Sequence, residues 1–210
     1  MDKKESVSGT DVVKEIAQRV KEVLLKPRDT FAVIKAETVT SRDLIFNYLA
    51  PLAVIPAVAS IIGLSAVGIR ISVMGTFRIP LINSLSSAVL QYILTLIGIY
   101  ILGIIINALA PSFSGKKNEI QALKVAVYSA TPSLVAGILY IFPVLGILVV
   151  IAGLYGLYLL YLAIPTMMEC PPEKALGYTM VIVIINIVIF LIIGVLVSFI
   201  PLGMGLGLLG

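Results

Sequence analysis

Residues 125–168 read VAVYSATPSLVAGILYIFPVLGILVVIAGLYGLYLLYLAIPTMM, 44 residues without a charge, bracketed by Lys124 and Glu169. As one helix this run would be about 66 Å long at 1.5 Å per residue. The hydrocarbon core of a bilayer is about 30 Å thick, so the run crosses twice and turns between the crossings. Phe142-Pro143, near its middle, is the natural turn. The reading is a tight hairpin of two spans, 123–142 and 144–165. The first arm carries Tyr128-Ser129-Ala130-Thr131-Pro132. Pro132 lacks the N–H that would bond the Tyr128 carbonyl, which predicts a kink. Ser129 or Thr131 would soften it by bonding the freed carbonyl. The second arm carries Tyr155, Tyr158 and Tyr161.

Outward from this hairpin, three further apolar runs complete the membrane domain. One spans 44–68 and holds Pro51 and Pro56, so it should be loosely wound in its first half. A second spans 84–110 and is ended by Pro111. Its Gly98 and Gly103, with Ser86, Ser87 and Ala88, offer small surfaces for close helix contact. The last spans 175–200 and is stopped by Pro201, leaving 201–210 as a loose, glycine-rich tail. Residues 69–83 form a loop with Arg70 and Arg78. The expected fold is all-α: a polytopic membrane protein with five transmembrane helices over 43–200, preceded by a cytosolic head over 1–42 with an amphipathic helix. Composition agrees. The mean hydropathy is +1.12, and charged residues make 12% of the 210 against about 25% in soluble domains.

The head helix begins at Thr10 and Asp11, an N-cap and a first-turn acid. Val12, Ile16, Val20, Val23 and Leu24 fall on one stripe at helical spacing. Pro27 ends this helix at or before Lys26, and Phe31-Ala-Val-Ile34 reads as a short second helix. The stripe must lie against something. Three surfaces qualify: the cytosolic ends of the spans, the membrane interface, or a groove on a partner protein. In the last case those five residues are the partner-docking set.

Orientation follows from basic residues. Nine lie in the head, and Lys116, Lys117, Lys124 and Lys174 fall in loops or edges on the same side. Arg70 and Arg78 hold the other side alone. That excess puts the N-terminus in the cytoplasm and the C-terminus, with the 201–210 tail, outside a plasma (inner) membrane. Ser8 and Ser114 are then cytosolic, Thr76 and Gly207 external. The first 43 residues contain no apolar core of a signal peptide, so no cleavage is expected.

The chain has no His and one Cys. That rules out His-based triads, Cys/His zinc sites and internal disulfides. No cofactor, metal site, catalytic residue or nucleic-acid partner is expected, and membrane lipid is the surrounding partner. Cys170, beside the membrane, is either a bystander thiol or a palmitoylation site. No ionisable residue lies deep in a span, which speaks against an ion-coupled pump. Asn47, Asn107, Tyr128, Ser129, Tyr158, Tyr161 and, near the midplane, Asn186 fall in the head-side part of the spans. Such groups either knit helices together or line a polar cleft that takes a headgroup or small solute.

Short motifs point to a family. Leu25-Lys26-Pro27 with Thr30-Phe31 precede the first span. Pro51 lies early in it, Tyr128-x-x-x-Pro132 in the third, and Lys174-Ala175 open the fifth. Over roughly residues 20–200 the chain resembles the Ypt-interacting-protein (Yip) domain family of five-span membrane proteins, in its prokaryotic branch. The resemblance implies the fold and a membrane location. Eukaryotic members bind Rab-type GTPases and act in membrane traffic and shaping. Their Asp-Leu-Tyr-Gly-Pro-like motif survives here only as Asp43-Leu44, followed by Ile-Phe-Asn-Tyr-Leu-Ala-Pro51. The expected function is a non-enzymatic membrane scaffold or organiser that recruits a protein partner through its head. The alternative is a small permease or lipid-binding protein using the polar cleft. A wet cleft reaching Asn186 would favour the alternative, a packed bundle the scaffold. The sequence selects neither a single copy nor a homo-oligomer.

Overall fold

The computed structural model describes residues 9–71 and 75–206, with side chains at 11–68 and 78–196. Five helical segments are long and apolar enough to cross a membrane: Ser41–Val67, Leu81–Phe113, Glu119–Ile141, Pro143–Met167 and Pro172–Leu196. Two helices precede them, α1 (Gly9–Leu25) and α2 (Pro27–Ala36). Pro27 both closes α1 and opens α2, where its missing N–H is not needed.

The first span is built from α3 (Ser41–Leu44), a π-helical turn at Ile45–Leu49, α4 (Ala50–Ile62) and a second π turn at Gly63–Val67. The Thr40 hydroxyl caps α3 by accepting from the Asp43 amide at 3.1 Å. The first π turn directly precedes Pro51, so the loose winding falls in the first half of the span. The loop that follows contains a two-stranded antiparallel hairpin, β1 (Ile69–Ile71) and β2 (Gly75–Phe77), with Arg70 opposite Thr76. The sequence reading left it irregular. Short Ile-Arg-Ile and Gly-Thr-Phe stretches have the β-branched and aromatic content that pairs well.

The second span is α5 (Leu81–Leu109), closed by a 3-10 turn at Ala110–Phe113. The long uncharged run forms the expected hairpin. Its first arm is α6 (Glu119–Ala136), tightening into a 3-10 segment at Gly137–Ile141. Phe142 breaks the helix, a 3-10 turn follows at Pro143–Leu145, and α7 covers Gly146–Met167. The last helix, α8, covers Pro172–Leu206.

Two proline expectations are corrected. α6 continues without a break through Pro132 for another turn. The flanking hydroxyls do not bond the Tyr128 carbonyl: Ser129 Oγ donates to Val125 O at 2.6 Å and Thr131 Oγ1 to Val127 O at 3.5 Å. Pro132 is buried within the packed core. Likewise α8 does not stop at Pro201 but continues to Leu206. One missing N–H costs less in an apolar medium than the several unpaired groups of a helix end. Ser8, Gly207 and the tail beyond Leu206 lie outside the described residues.

α6 is the axis. Within its most apolar window 67% is buried, against 11% for α8. Its neighbours approach closely at small residues: a Cβ on Gly156 of α7 would lie 2.6 Å from the Ser129 carbonyl oxygen, and one on Gly103 of α5 3.1 Å from Leu123 Cα. α8 leans on α5, where Tyr178 stacks on Phe113 (4.8 Å between centroids, 6° between planes) and its hydroxyl donates to Ile106 O. Gly98 meets only flexible side-chain ends of α8, at Ile189 and Ile193.

Candidate functional site

The concentration of polar chemistry lies where α1 and α2 meet the bundle. Gln121, Lys124 and Tyr128 sit on one face of α6, at the i, i+3, i+7 spacing of a single helical stripe. Lys124 is 0% exposed. Its Nζ donates to Ile34 O and Glu37 O, both at 2.7 Å. These carbonyls belong to the last turn and C-cap of α2, the end of a helix that carries unpaired acceptors and a partial negative charge. A lysine from another helix thus caps α2. Gln121 Nε2 adds a bond to Lys35 O at 2.9 Å.

The Glu37 carboxylate continues the cluster. Arg19 of α1 donates to its Oε1 at 2.6 Å, so the two ends of the α1–α2 hairpin are tied together. Burial pulls the Arg19 guanidinium down, but the hydrogen bond and charge of Glu37 outweigh it and leave its pKa raised. At the closed end of this hairpin, Thr30 Oγ1 donates to Glu22 O (3.1 Å) and Lys26 O (2.8 Å). Tyr155 of α7 donates from its hydroxyl to Leu24 O at 2.7 Å.

A surface clamp joins the C-terminal end of α2 to the loops. Glu169 bonds Lys116 at 2.5 Å and Lys35 at 3.0 Å, linking α2 with the α5–α6 and α7–α8 connections. The Lys116 and then the Lys35 hydrogen bonds hold its carboxyl at about 2. The Glu169 backbone is left-handed (φ 51°), an uncommon conformation for a residue other than glycine. Its pKa is depressed on folding, so the associated stability is present above the ordinary carboxylate value. It is lost as pH falls from about 4.3 towards 2. Thermal midpoints in detergent across that window should fall less for Glu169→Gln than for the parent chain. Equal acid sensitivity would assign the loss to other carboxylates.

Cys170 is buried, with Sγ within 3.2 Å of Phe113 O, and burial pushes its thiol up. A thiolate forms reluctantly there. Maleimide should label it slowly in the folded protein and rapidly after denaturation; fast labelling of the native chain would contradict this packing.

The seven residues expected to line a polar cleft do not converge. Tyr128 and Ser129 are buried in the core. Tyr128 packs against Tyr48 (4.9 Å), whose hydroxyl is 3.1 Å from Thr131 Oγ1. Asn47, Tyr158 and Tyr161 are exposed, on the perimeter of the bundle. Asn107 and Asn186 are half-buried on α5 and α8, and Asn107 Oδ1 is a buried acceptor without a protein partner. A cavity of about 210 Å³ lies between α4 and α5, lined by Val54, Ala57, Val58, Ile61, Ala88, Val89 and Tyr92. It includes none of the seven.

The five stripe residues turn towards the chain's own bundle. Val23 is buried, while Val12, Ile16, Val20 and Leu24 are half-buried; Ile16 and Val20 pack against the core. Lys124, Glu37, Tyr155 and Glu169 carry the interactions that sequence reasoning missed. The signal for the first was the Gln121–Lys124–Tyr128 stripe itself, a cation in line with two other polar groups at the start of an apolar run.

This arrangement of a head hairpin on five spans coincides with a family match: the Yip1 domain model covers residues 21–208. The chain belongs to the Yip1 domain family. No curated protein and no solved structure matches it. The matched region of this Yip1-family chain starts inside α1 and takes in α2, all five spans and, Arg19 excepted, the Lys124 cluster.

Proposed function

We propose that this Yip1-family protein, of the prokaryotic branch, is a non-enzymatic organiser of the plasma membrane, with its head in the cytoplasm and its β-hairpin outside. It recruits a protein partner through the head. One observation carries this reading: most polar groups that a permeation path would need are spent on fastening the head, as at Lys124, Gln121 and Tyr155, or packed in the core or spread over the perimeter, and the half-buried Asn107 and Asn186 stand on separate helices. The head is then a fixed platform. Because its apolar stripe faces inward, the partner surface is the outward side of the first half of α1, where Asp11, Lys14 and Glu15 are exposed.

Crosslinking and recovery from native membranes tests it. Lys14→Glu with Glu15→Lys should reduce recovery of the partner several-fold at unchanged thermal stability. Ile16→Asp with Val20→Asp should instead lower stability, because those side chains brace the bundle. Normal recovery with the charge-reversed head would refute recruitment through α1. Single-cysteine labelling at Lys117→Cys and Arg78→Cys, in a Cys170→Ser background, tests the orientation. Lys117→Cys should react only with a reagent in the cytoplasm and Arg78→Cys only from outside; the reverse pattern would invert the assignment.

A further inference from the structure

We infer that the turn between α6 and α7 is embedded in hydrocarbon: the hairpin enters the bilayer from the head side, and its tip ends in the far leaflet against acyl chains, without reaching water. Each arm is long enough to cross, so the chemistry of the tip decides. Between Ser133 and Thr166 the only polar side chains are tyrosines. At the turn, Phe142 is 53% exposed, Val144 84% and Ile147 64%. Tyr140, the one polar side chain there, is half-buried with its ring beside Gly146. The other connection on this side, 68–80, carries Arg70 and Arg78 instead. A turn in hydrocarbon must also bond its own backbone, and this one does. Gly137–Ile141 and Pro143–Leu145 are 3-10 segments. Phe142 N donates to Leu139 O at 3.0 Å and Leu145 N to Phe142 O at 2.8 Å, while Pro143 has no N–H to satisfy. The Tyr140 and Ile141 carbonyls lie against Gly63 of the first span, closer than a side chain there would allow.

Depth is an independent argument. The Tyr155 hydroxyl bonds Leu24 O, and Lys26, Arg28 and Asp29 are exposed just after that carbonyl. Such charges belong in water or among headgroups, so the level of Tyr155 marks the head-side edge of the hydrocarbon. At 1.5 Å per residue in α7 and 2.0 Å in the 3-10 turn, Phe142 lies about 20 Å farther in. The hydrocarbon core is about 30 Å thick, which leaves about 10 Å beyond the tip. The first span agrees. It passes the tip at Gly63 and meets its first charge only at Arg70. Arg78 returns near Leu64, through the bond from Ile79 N to Leu64 O, and its long stem carries the charge outward.

The chain contains no tryptophan, so a single one reports its own surroundings. Val144→Trp and, as a reference, Lys117→Trp in the α5–α6 loop would be reconstituted in phosphatidylcholine vesicles. Both positions are exposed, so neither change disturbs the core. The expected result at position 144 is blue-shifted emission, quenched several-fold more by lipids brominated near the ends of the acyl chains than by lipids brominated near the headgroup. Position 117 should emit as in water and be quenched by iodide present on both sides of the vesicles. Water-like emission and iodide quenching at 144 would overturn the inference, because the turn would then emerge. Strongest quenching by bromine near the headgroup would overturn it too, placing the tip at the outer interface. Shielding from every quencher would also overturn it, showing that protein covers the tip.

Discussion

Replacing Lys124 with methionine should release the head while the five spans stay folded. The variant keeps most of the buried stem but removes both bonds to Ile34 O and Glu37 O. Hydrogen bonds to a charged group contribute about 1.5–3 kcal/mol each, and the two carbonyls would be left without their donor. Gln121, Tyr155 and the Lys35–Glu169 pair remain, but the last is exposed and adds little. Hydrogen exchange reads the outcome. Amides of α1 and α2 should lose protection by one to two orders of magnitude, as about 1.4–2.7 kcal/mol would give, with α6 and α7 unchanged. Undiminished protection over residues 9–36 would show that apolar packing of Val23, Phe31 and Ile34 alone holds the head.

Gly63→Leu should have the larger effect on the bundle. A Cβ there would overlap the Tyr140 carbonyl oxygen, far inside the sum of their van der Waals radii, and lie 3.2 Å from Ile141 O. Both obstacles are backbone and cannot rotate away. Overpacking commonly costs about 1–3 kcal/mol, and the rigid neighbours place this case at the upper end. The first span and the Gly137–Ile141 segment should separate, lowering the thermal midpoint in detergent. Gly194→Leu is the matched control, since nothing lies within 4 Å of its Cβ position. Equal midpoints for the two variants would mean that the first span does not pack there.

The spans were legible because hydropathy and length act within one segment, and 44 uncharged residues admit few solutions. The turn at Phe142-Pro143 was legible for the same reason. The role of Lys124 was not. Its partners are carbonyls 87 and 90 residues away, and a carbonyl leaves no mark in a sequence. The cleft expectation failed in a related way. Depth can be counted from a span's end, but whether Tyr158 faces a neighbour or the perimeter depends on the packing of α6 against α7, set by Gly156 and its contact with Ser129. Pro132 shows the opposite limit: a strong local helix-breaking signal does not end α6, which runs on through it to Ala136.

The long sequence separations in the head cluster also set a timetable for synthesis. α1 and α2 leave the ribosome first, but Lys124 follows Glu37 by 87 residues. At about 5–20 residues per second that interval is about 4–17 s. During it the Val23, Phe31 and Ile34 side of the hairpin, fully buried in the finished protein, has no bundle to cover it. The nascent head must shelter on the lipid surface or on a chaperone until α6 and α7 are inserted. A slowed translation rate would lengthen that exposed interval in proportion.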